Sequence, residues 1–322
     1  MCLRDASRLK PSPICHINCL ACNPLRVCYT HFYRDKVARA TTTSKMTTNI
    51  FARTTATVAA WNLATFEVLD DDRIKRQADG LAMLDAEVVT LVEIKNEDHI
   101  RKIAQHLTDD GVPYEFQFLE QAATNGTHAA MHIGVLHKQG VSVTNTSLLD
   151  GSDLGNNNFR KAFVCDVEID RFDFKLIGVH LKSGRDTDNQ QIRDGQCRVI
   201  GDFITDLRGP ADRNPDVLLM GDFNMIPGQD ISNFHHLGGN DIMDFVSSWD
   251  LQERYSHILL SGRENLLDGF AISRRFSTEY IKGSLRLFPM HWTMGIGQAR
   301  FRADVSDHLP CVASFKIRRA RD

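Results

Sequence analysis

The sequence lacks any apolar run long enough to cross a membrane. Its longest apolar stretches, around residues 86–92 and 217–220, meet charged residues well short of the roughly 18 to 20 residues that a bilayer-spanning helix needs. It also lacks, near its N-terminus, the apolar segment and small-residue cleavage site of a secretory signal. We therefore expect no transmembrane segment, and a cytoplasmic location is the default expectation.

The cysteines show no disulfide framework. Cys165, Cys197 and Cys311 are far apart in the sequence, and the other five of the eight cysteines fall within the first 28 residues. Three scattered thiols are not the paired pattern of a small secreted scaffold. The N-terminal group has the local density of a metal site, but its C-x3-C-x2-C spacing lacks the second pair of a zinc ribbon.

A basic excess is also missing. The formal net charge is −3 at pH 7, and because basic residues outnumber acidic ones in the first 50 residues, the remaining body is mildly acidic. Proteins that clamp long duplex DNA usually carry a basic footprint, since the release of counterions from phosphate drives their binding. The charge therefore argues against a high-affinity duplex binder, although it does not exclude a nuclease.

The composition is that of a globular protein. The 322 residues are 42% hydrophobic and 25% charged, which argues against the disordered and fibrous classes. Residues 1–50 lack periodicity, contain three prolines and end in a threonine-rich stretch. We expect them to be an irregular N-terminal extension, either disordered or the product of an over-long start with Met46 as the true beginning. Residues 51–322 then form the folded domain.

From residue 55 onward the sequence alternates between short strands and helices. Strands are predicted at residues 57–61, 88–92, 114–119, 131–136, 141–148, 162–169, 172–179 and 216–220. Helices are predicted at residues 73–84, 96–107 and 188–207, where apolar residues recur at helical spacing. Helices around a strand-rich middle indicate an α/β fold in which two sheets pack on each other.

Polar side chains stand where apolar runs end or begin. They are Asn62, Glu93, His180, the pair Asp222 and Asn224, and the Asp307-His308 pair before the last apolar run. Strand ends in α/β folds can aim several side chains at one crevice. Taken singly, each residue is more often a turn residue, a solvated strand end or a hydrogen-bonded core histidine.

These residue types suit the hydrolysis of a phosphate ester. Mg²⁺ is a hard cation that prefers oxygen ligands, usually one or two carboxylates completed by water and substrate phosphate. Asn62 and Glu93 supply such oxygens, and Asp307 offers another. The reaction also needs an activated water and a donor to the charge that develops on phosphorus, which are roles for His, Asp and Asn.

Six short segments occur in a distinctive order along residues 55–318. They are Trp61-Asn62, Leu91-Val92-Glu93, His180-Leu181-Lys182-Ser183, Gly221-Asp222-Phe223-Asn224, Leu267-Asp268 and Ser306-Asp307-His308-Leu309-Pro310. This order resembles that of the endonuclease/exonuclease/phosphatase superfamily, the deoxyribonuclease-like metal-dependent phosphoesterases. The resemblance implies an α/β fold, a four-layered α/β/β/α sandwich of two packed mixed sheets flanked by helices. It also implies an active site at one edge of the two sheets.

The resemblance further implies how the acidic and amide residues would act. Glu93 would be the principal metal ligand, and Asn62 and Asp307 would complete or orient the metal shell. The implied metal is Mg²⁺, with Mn²⁺ as the alternative. Asp222 and Asn224 would position and polarise the attacking water.

The two matched histidines would face the phosphate. His180 would donate to the scissile phosphate, and His308 would serve as general base or as a second imidazole donor, with Asp268 holding its ring. The sequence leaves open whether Asp222 or His308 takes the proton of the water. Arg160 precedes a predicted strand at a place where family members often carry an arginine near the phosphate. It is either a phosphate-binding guanidinium or part of an exposed basic turn.

Two features stand out from the family pattern. Gly269 occupies a position where many members have an aromatic residue or histidine, and we expect it to leave space beside Asp268 that weakens the orienting role of that carboxylate. Residues 288–301, which include Trp292 and Met294, are either a substrate-contacting loop at the mouth of the site or a packed surface loop.

Together these features predict a metal-dependent hydrolase in which an activated water attacks phosphorus directly. A nuclease-type phosphodiesterase, with nucleic acid as the substrate, is the first choice. A phosphatase or phosphodiesterase acting on a lipid or small-molecule phosphate is the alternative, because specificity on a shared fold resides in its loops. A non-catalytic binding protein with the same fold is the second alternative, against which the intact set of acidic and histidine residues argues. The sequence implies no protein partner.

Overall fold

A computed structural model describes residues 53–317 of the chain, except residues 65–68, 122–130, 208–215, 240–242, 246–254, 260–264 and 274–277. The expected N-terminal extension, residues 1–50, and its cysteine cluster lie outside the described residues. Both therefore stay predictions, as does the domain boundary at residue 51.

Twelve strands and six helices are present in the described residues. The strands are β1 (Thr55–Asn62), β2 (Val88–Ile94), β3 (Tyr114–Phe118), β4 (His132–Lys138), β5 (Ser142–Leu148), β6 (Phe163–Ile169), β7 (Phe172–His180), β8 (Val217–Asp222), β9 (Met243–Phe245), β10 (Asp268–Ser273), β11 (Arg286–Leu287) and β12 (Cys311–Lys316). The helices are α1 (Asp71–Leu84), α2 (Glu97–Asp109), α3 (Thr187–Asp206), α4 (Ile231–Leu237), α5 (Met290–Thr293) and α6 (Gln298–Asp304).

The strands form two six-stranded mixed sheets. Sheet A has the order β11-β12-β1-β2-β4-β3, and sheet B has the order β5-β6-β7-β8-β10-β9. Each sheet contains one parallel pair, β1 with β2 in sheet A and β7 with β8 in sheet B, among antiparallel neighbours. Because the two strands of a parallel pair end at the same edge of the sheet, β1 ends beside β2 and β7 ends beside β8.

Three apolar cores separate four layers. The core between the sheets includes Val58, Leu218 and Phe315, whereas the outer face of sheet A packs against α1 and α2 through residues such as Leu81 and Ile100. The outer face of sheet B packs against α3 and α4 in the same way. Because β8 is covered on both faces, it reads as a continuous apolar run in the sequence. The predicted four-layered α/β/β/α sandwich is confirmed.

Side-chain caps set the starts of the three longer helices. Asp70, Asn96 and Asp186 each accept a hydrogen bond from the backbone N–H three residues further on, which satisfies one of the donors left open at a helix start. None of the described helices is both long enough and apolar enough to span a membrane.

Candidate active site

Sheet B presents three polar residues side by side. Asp222 at the end of β8 lies opposite His180 at the end of β7 and opposite Asp268 at the start of β10. Side chains alternate along a strand, and Leu218 and Met220 of β8 pack in the core between the sheets. Asp222 therefore points to the same side, where the apolar core ends.

Sheet A contributes Asn62 and Glu93. Asn62 follows Ala60 on the face of β1 that packs between the sheets, so alternation alone directs it to the site. Glu93 is different, because alternation would place it with Leu91 on the helix-covered face. A register shift interrupts the β2–β4 pairing between Leu91 and Ile94, and Glu93 has a φ of 58°. This bulge turns the carboxylate toward Asn62.

The side chain of Asn62 joins the two sheets. Its Nδ2 donates to Glu93 Oε1 at 3.0 Å and to Asp222 Oδ2 at 3.1 Å, while its Oδ1 accepts the backbone N–H of Ala64 at 2.9 Å. Two carboxylates thus share one amide nitrogen. In this arrangement Asn62 orients the carboxylates, and its role as a metal ligand stays a prediction.

His308 is held at its ring and at its backbone. Its Nδ1 lies 2.6 Å from Asp268 Oδ2, and its backbone carbonyl accepts the indole N–H of Trp61 at 2.8 Å. Its backbone N–H donates to Ser306 Oγ, which in turn donates to the carbonyl of Asn62. These bonds leave the Nε2 atom facing the crevice, 4.0 Å from Asp222 Oδ2.

His180 faces the same carboxylate from the other side. Its Nε2 lies 3.9 Å from Asp222 Oδ2 and 3.8 Å from Glu93 Oε1. The ring is buried at the end of a strand whose preceding residues are also buried. Asp222 Oδ2 is therefore surrounded by the Nδ2 of Asn62 and by the Nε2 atoms of two histidines.

The protonation states of these groups diverge because of burial and neighbouring charge. Burial alone would lower the pKa of His308, but the carboxylates of Asp268 and Asp222 outweigh it and raise the pKa to about 10. Burial, together with the positive charges of Arg160 and His308, lowers the pKa of His180 to about 3. Burial and the negative charge of Asp268 raise the pKa of Asp222 to about 7. The site thus holds one charged and one neutral imidazole.

The remaining predicted residues surround this centre. The backbone N–H of Asn224 donates to Asp222 Oδ1 at 2.9 Å, and its Nδ2 donates to the carbonyl of Leu181 at 3.0 Å. Arg160 is 7% exposed, so it is not part of an exposed basic turn. Its guanidinium donates to the carbonyl of Met131 at 2.9 Å, and its contact with a phosphate stays a prediction.

Asp307 lies among three basic side chains. Its Oδ2 lies 3.5 Å from His257 Nε2 and 3.3 Å from Arg302, and its Oδ1 lies 3.8 Å from His308 Nε2. Burial alone would raise the pKa of Asp307, but the hydrogen bond from His257 and the charge of His308 lower it to about 2. Asp307 is therefore a carboxylate beside His308, and its place in a metal shell stays a prediction.

The oxygen atoms at the site fit a hard divalent cation. Glu93 and Asp222 bring two carboxylates within reach of one amide nitrogen. Asp222, Asp268 and His308 also offer ligand atoms within 4.8 Å of one another. His308 keeps its proton in the metal-free site, which favours the carboxylates as ligands. Oδ1 of Asp268 is buried with no hydrogen-bond partner among the described residues, so this oxygen is open to a further donor or cation.

Solved structures with the same fold match most of this chain. No protein-family model matches the sequence, and no curated protein matches it. The matched structures include TDP2 of D. rerio complexed with a single-strand DNA product, the human Nocturnin catalytic domain with bound sulfate, and an endonuclease/exonuclease/phosphatase from Bacteroides vulgatus.

The three structures match this chain to a similar extent. TDP2 of D. rerio is 16% identical over 82% of this chain and 100% of its own, with a TM-score of 0.60. Human Nocturnin is 16% identical over 82% of this chain and 95% of its own, with a TM-score of 0.58. The B. vulgatus protein is 12% identical over 83% of this chain and 100% of its own, with a TM-score of 0.58. This chain has the endonuclease/exonuclease/phosphatase fold.

Within this fold, the expectation of open space beside Asp268 is wrong. A Cβ atom on Gly269 would lie 3.1 Å from Cε2 of Phe223, so the aromatic ring already fills the position beside the strand. The hydrogen bond between Asp268 and His308 forms at 2.6 Å. The glycine therefore makes room for Phe223, and it does not loosen the carboxylate.

The fold also brings in two residues that the sequence did not single out. The ring of His257 stacks on that of His308, with centroids 4.7 Å apart and planes inclined by 29°. Ser256 Oγ accepts the backbone N–H groups of Leu267 and Asp268 and so fixes the start of β10. Neither residue follows an apolar strand or falls in a matched motif, so the sequence carried no pattern that would identify them.

Residues 288–301 form no single loop. They contain α5 and the start of α6, and Phe288, Met290 and Phe301 are buried in the core on the helix side of sheet A. Trp292 is 60% exposed. The segment is thus a packed surface element, and contact with a substrate stays a prediction.

Proposed function

We propose that this chain is a metal-dependent hydrolase of phosphate esters, and that it acts as a nuclease-type phosphodiesterase. One observation carries the proposal, the convergence of groups around Asp222 at the end of the core between the sheets. Its Oδ2 accepts from Asn62, which also holds Glu93, and it lies about equally far from the Nε2 atoms of His180 and His308. Carboxylates that suit a hard cation and imidazoles that suit a phosphate therefore meet at one place.

Mg²⁺ is the proposed cation, with Mn²⁺ as the alternative. Glu93 would be its principal ligand, with Asn62 keeping the carboxylate in place, because hard cations prefer such oxygen ligands. A bound divalent cation supplies charge neutralisation at the phosphoryl oxygens and at the leaving oxygen. Asp307 is the further ligand that the sequence motif favours.

The charge distribution favours Asp222 as the general base. A base works best when its pKa lies near the operating pH, and the pKa of Asp222 is raised to about 7. His308 instead keeps its proton, because Asp268 and Asp222 raise its pKa to about 10. We therefore propose that Asp222 accepts the proton of the attacking water. His308 would act as a cationic hydrogen-bond donor to a phosphate oxygen.

His180 and Arg160 complete the proposed phosphate site. His180 is neutral at physiological pH, since its pKa is lowered to about 3, and a neutral imidazole still donates one N–H. Arg160 is a buried guanidinium close enough to His180 and Glu93 to influence their charges. The neutral histidine leaves the positive charge to Arg160, His308 and the cation. Asn224 holds Asp222 through its backbone N–H and is proposed to help orient the water.

Nucleic acid is the proposed substrate class. The solved structure of D. rerio TDP2 contains a single-strand DNA product, and its fold extends over 82% of this chain. A lipid or small-molecule phosphate is the second candidate, which the mildly acidic body favours because it would not attract a long polyanion. Salt separates the two, since cleavage of DNA should weaken steeply as salt is added, whereas hydrolysis of a small ester should change little.

The test compares four substrates with purified full-length protein. Single-stranded DNA, double-stranded DNA, sphingomyelin and an inositol phosphate are each incubated with Mg²⁺ or with EDTA. Wild type is compared with Glu93→Ala and His308→Ala, and His235→Ala on the exposed face of α4 is the matched histidine control. We expect Mg²⁺-dependent cleavage of single-stranded DNA that falls by about 100-fold or more in the two site variants and is unchanged in His235→Ala.

The outcomes distinguish the candidates. Cleavage of sphingomyelin or the inositol phosphate without cleavage of DNA would retain the reaction class and replace the substrate class. Activity that survives EDTA or Glu93→Ala would contradict the metal-dependent mechanism. A wild type that cleaves none of the four substrates would favour a binding protein that has kept the fold.

A further inference from the structure

Two polar side chains on α3 are buried on the helix face that also carries the apolar residues Cys197 and Ile200. Arg193 is 1% exposed and Gln196 is 0% exposed, and they lie three residues apart on one face of the helix. A buried guanidinium and a buried amide need hydrogen-bond partners to offset the loss of water. Their partners lie in the segments that carry the candidate active site.

Arg193 binds the segments that follow β7 and β8. Its Nη1 donates to the carbonyls of Lys182 at 2.9 Å and Gly184 at 2.6 Å, just beyond His180. Its Nη2 donates to Asp230 Oδ1 at 2.8 Å, and the other oxygen of Asp230 accepts the backbone N–H of Ile226 at 2.7 Å. One guanidinium therefore links the segment after β7 to the segment after β8.

Gln196 adds the segment that carries Arg160. Its Oε1 accepts the backbone N–H of Lys182 at 2.9 Å. Its Nε2 donates to the carbonyl of Ser152 at 3.2 Å and lies 3.5 Å from the carbonyl of Arg160. The side chain thus connects the segment after His180 with the segment that ends at Arg160.

The segments held by Arg193 and Gln196 also contact each other at the site. The backbone N–H of Leu181 donates to the carbonyl of Asp222 at 3.1 Å, and Asn224 Nδ2 donates to the carbonyl of Leu181 at 3.0 Å. A shift of residues 181–184 would therefore move His180 and Asn224 together. Because the segments have little regular structure of their own, their placement depends on α3.

We propose that Arg193 and Gln196 are positioning residues for the candidate active site. The inference rests on the proposed function and adds to it residues that touch neither phosphate nor metal. Arg193 suits this role because its planar fork fixes several acceptors in one geometry, which a lysine ammonium does not do. Misplacement of reacting groups by about 1 Å can lower a rate by about 100-fold, so loss of the fork should act on turnover.

If α3 served only to pack against α4, losing another contact between these two helices should lower activity as much as losing Arg193. Asp194, the neighbour of Arg193, also joins α3 to α4, since it accepts hydrogen bonds from Ser232 Oγ and Asn233 Nδ2. It has no hydrogen bond to residues 181–184 among those the structure describes. Asp194→Asn is therefore the matched control for the packing of α3 on α4.

The experiment compares wild type, Arg193→Lys, Gln196→Met and Asp194→Asn as full-length proteins. Arg193→Lys keeps the positive charge beside Asp230 and loses the fork, and Gln196→Met keeps the volume of the side chain and loses its hydrogen bonds. Hydrolysis of bis(4-nitrophenyl) phosphate with Mg²⁺ gives kcat and KM, and thermal unfolding reports folding. Hydrogen–deuterium exchange of residues 181–186 and 223–230 reports the segments without any need for activity.

We expect kcat to fall by about 30-fold or more in Arg193→Lys and Gln196→Met, with KM changed by less than about threefold. Exchange of residues 181–186 should be about tenfold faster in both variants, with little change outside these segments. Asp194→Asn should match wild type in kcat and in exchange at residues 181–186.

Equal kcat values in all four proteins would overturn the proposal, as would a loss in Asp194→Asn as large as in Arg193→Lys. A wild type that does not hydrolyse the ester would instead count against the proposed phosphodiesterase activity. In that case hydrogen–deuterium exchange alone tests the positioning role. Unchanged exchange at residues 181–186 in both variants would overturn it. Faster exchange confined to these segments would support it.

Discussion

The hydrogen bond between Asp268 and His308 makes a sharp prediction for Asp268→Asn. The substitution keeps the shape of the side chain and removes the negative charge 2.6 Å from His308 Nδ1. The imidazole is buried, so without Asp268 its charged form loses the interaction that offsets desolvation. We expect the pKa of His308 to fall from about 10 to below its ordinary value of 6.5.

The size and the pH dependence of the effect follow from this shift. A pKa raised from 6.5 to about 10 corresponds to roughly 5 kcal/mol of preference for the charged form, as an upper bound. A raised pKa stabilises the fold fully below pH 6.5, and this contribution is lost as pH rises from 6.5 to 10. Asp268→Asn should therefore cost about 3 to 5 kcal/mol at pH 6, and the difference from wild type should shrink toward pH 10.

Urea unfolding of the metal-free proteins between pH 6 and pH 10, together with an NMR titration of the His308 imidazole, measures both quantities. Asp173→Asn on the exposed face of β7 is the control, and we expect it to follow wild type at every pH. A wild-type imidazole that titrates at or below pH 6.5 would refute the reasoning. A loss in Asp268→Asn that is the same at pH 6 and at pH 10 would also refute it.

Two further predictions concern the crowded carboxylates and the tight approach of β7 to β8. Glu93→Gln should raise the melting temperature of the metal-free protein by a few degrees, because it removes a buried charge that contributes to the raised pKa of Asp222; a lower melting temperature in EDTA would contradict this. Gly221→Ala should cost at least about 3 kcal/mol in urea unfolding, because Gly221 has a φ of 137° and a Cβ there would lie 2.2 Å from the carbonyl oxygen of Val179. Wild-type stability in Gly221→Ala would show that the close approach is not needed.

The sequence predicted much of the fold and the composition of the candidate site. The strand and helix pattern predicted an α/β fold of two packed sheets, because apolar periodicity reports which faces of each element are covered, and the family resemblance implied the four layers. Asn62, His180 and Asp222 follow buried strands, and alternation directs them to the end of the core between the sheets. The roles of these residues in a reaction stay predictions.

Other features of the site depended on contacts between distant parts of the chain. His257 reaches His308 through a backbone pairing, 51 residues apart in sequence, that no local pattern reveals. The space beside Gly269 was misjudged, because a missing side chain does not show which other ring will occupy its place. Burial of Arg160 likewise depended on the strands around it, since an arginine in a turn is usually exposed.

The sequence by itself determined which residue types stand at the strand ends and which faces of the strands are apolar. The tertiary structure alone decided how the carboxylates meet. Regular alternation would place Glu93 with Leu91 under the helices, and the bulge in β2 turns it to the opposite face. The tertiary structure also decided which groups are protonated, because the charge on His308 depends on its distance from Asp268 and on the desolvation of both side chains. Distance and desolvation arise only when the two sheets pack, so no property of a single segment contains them.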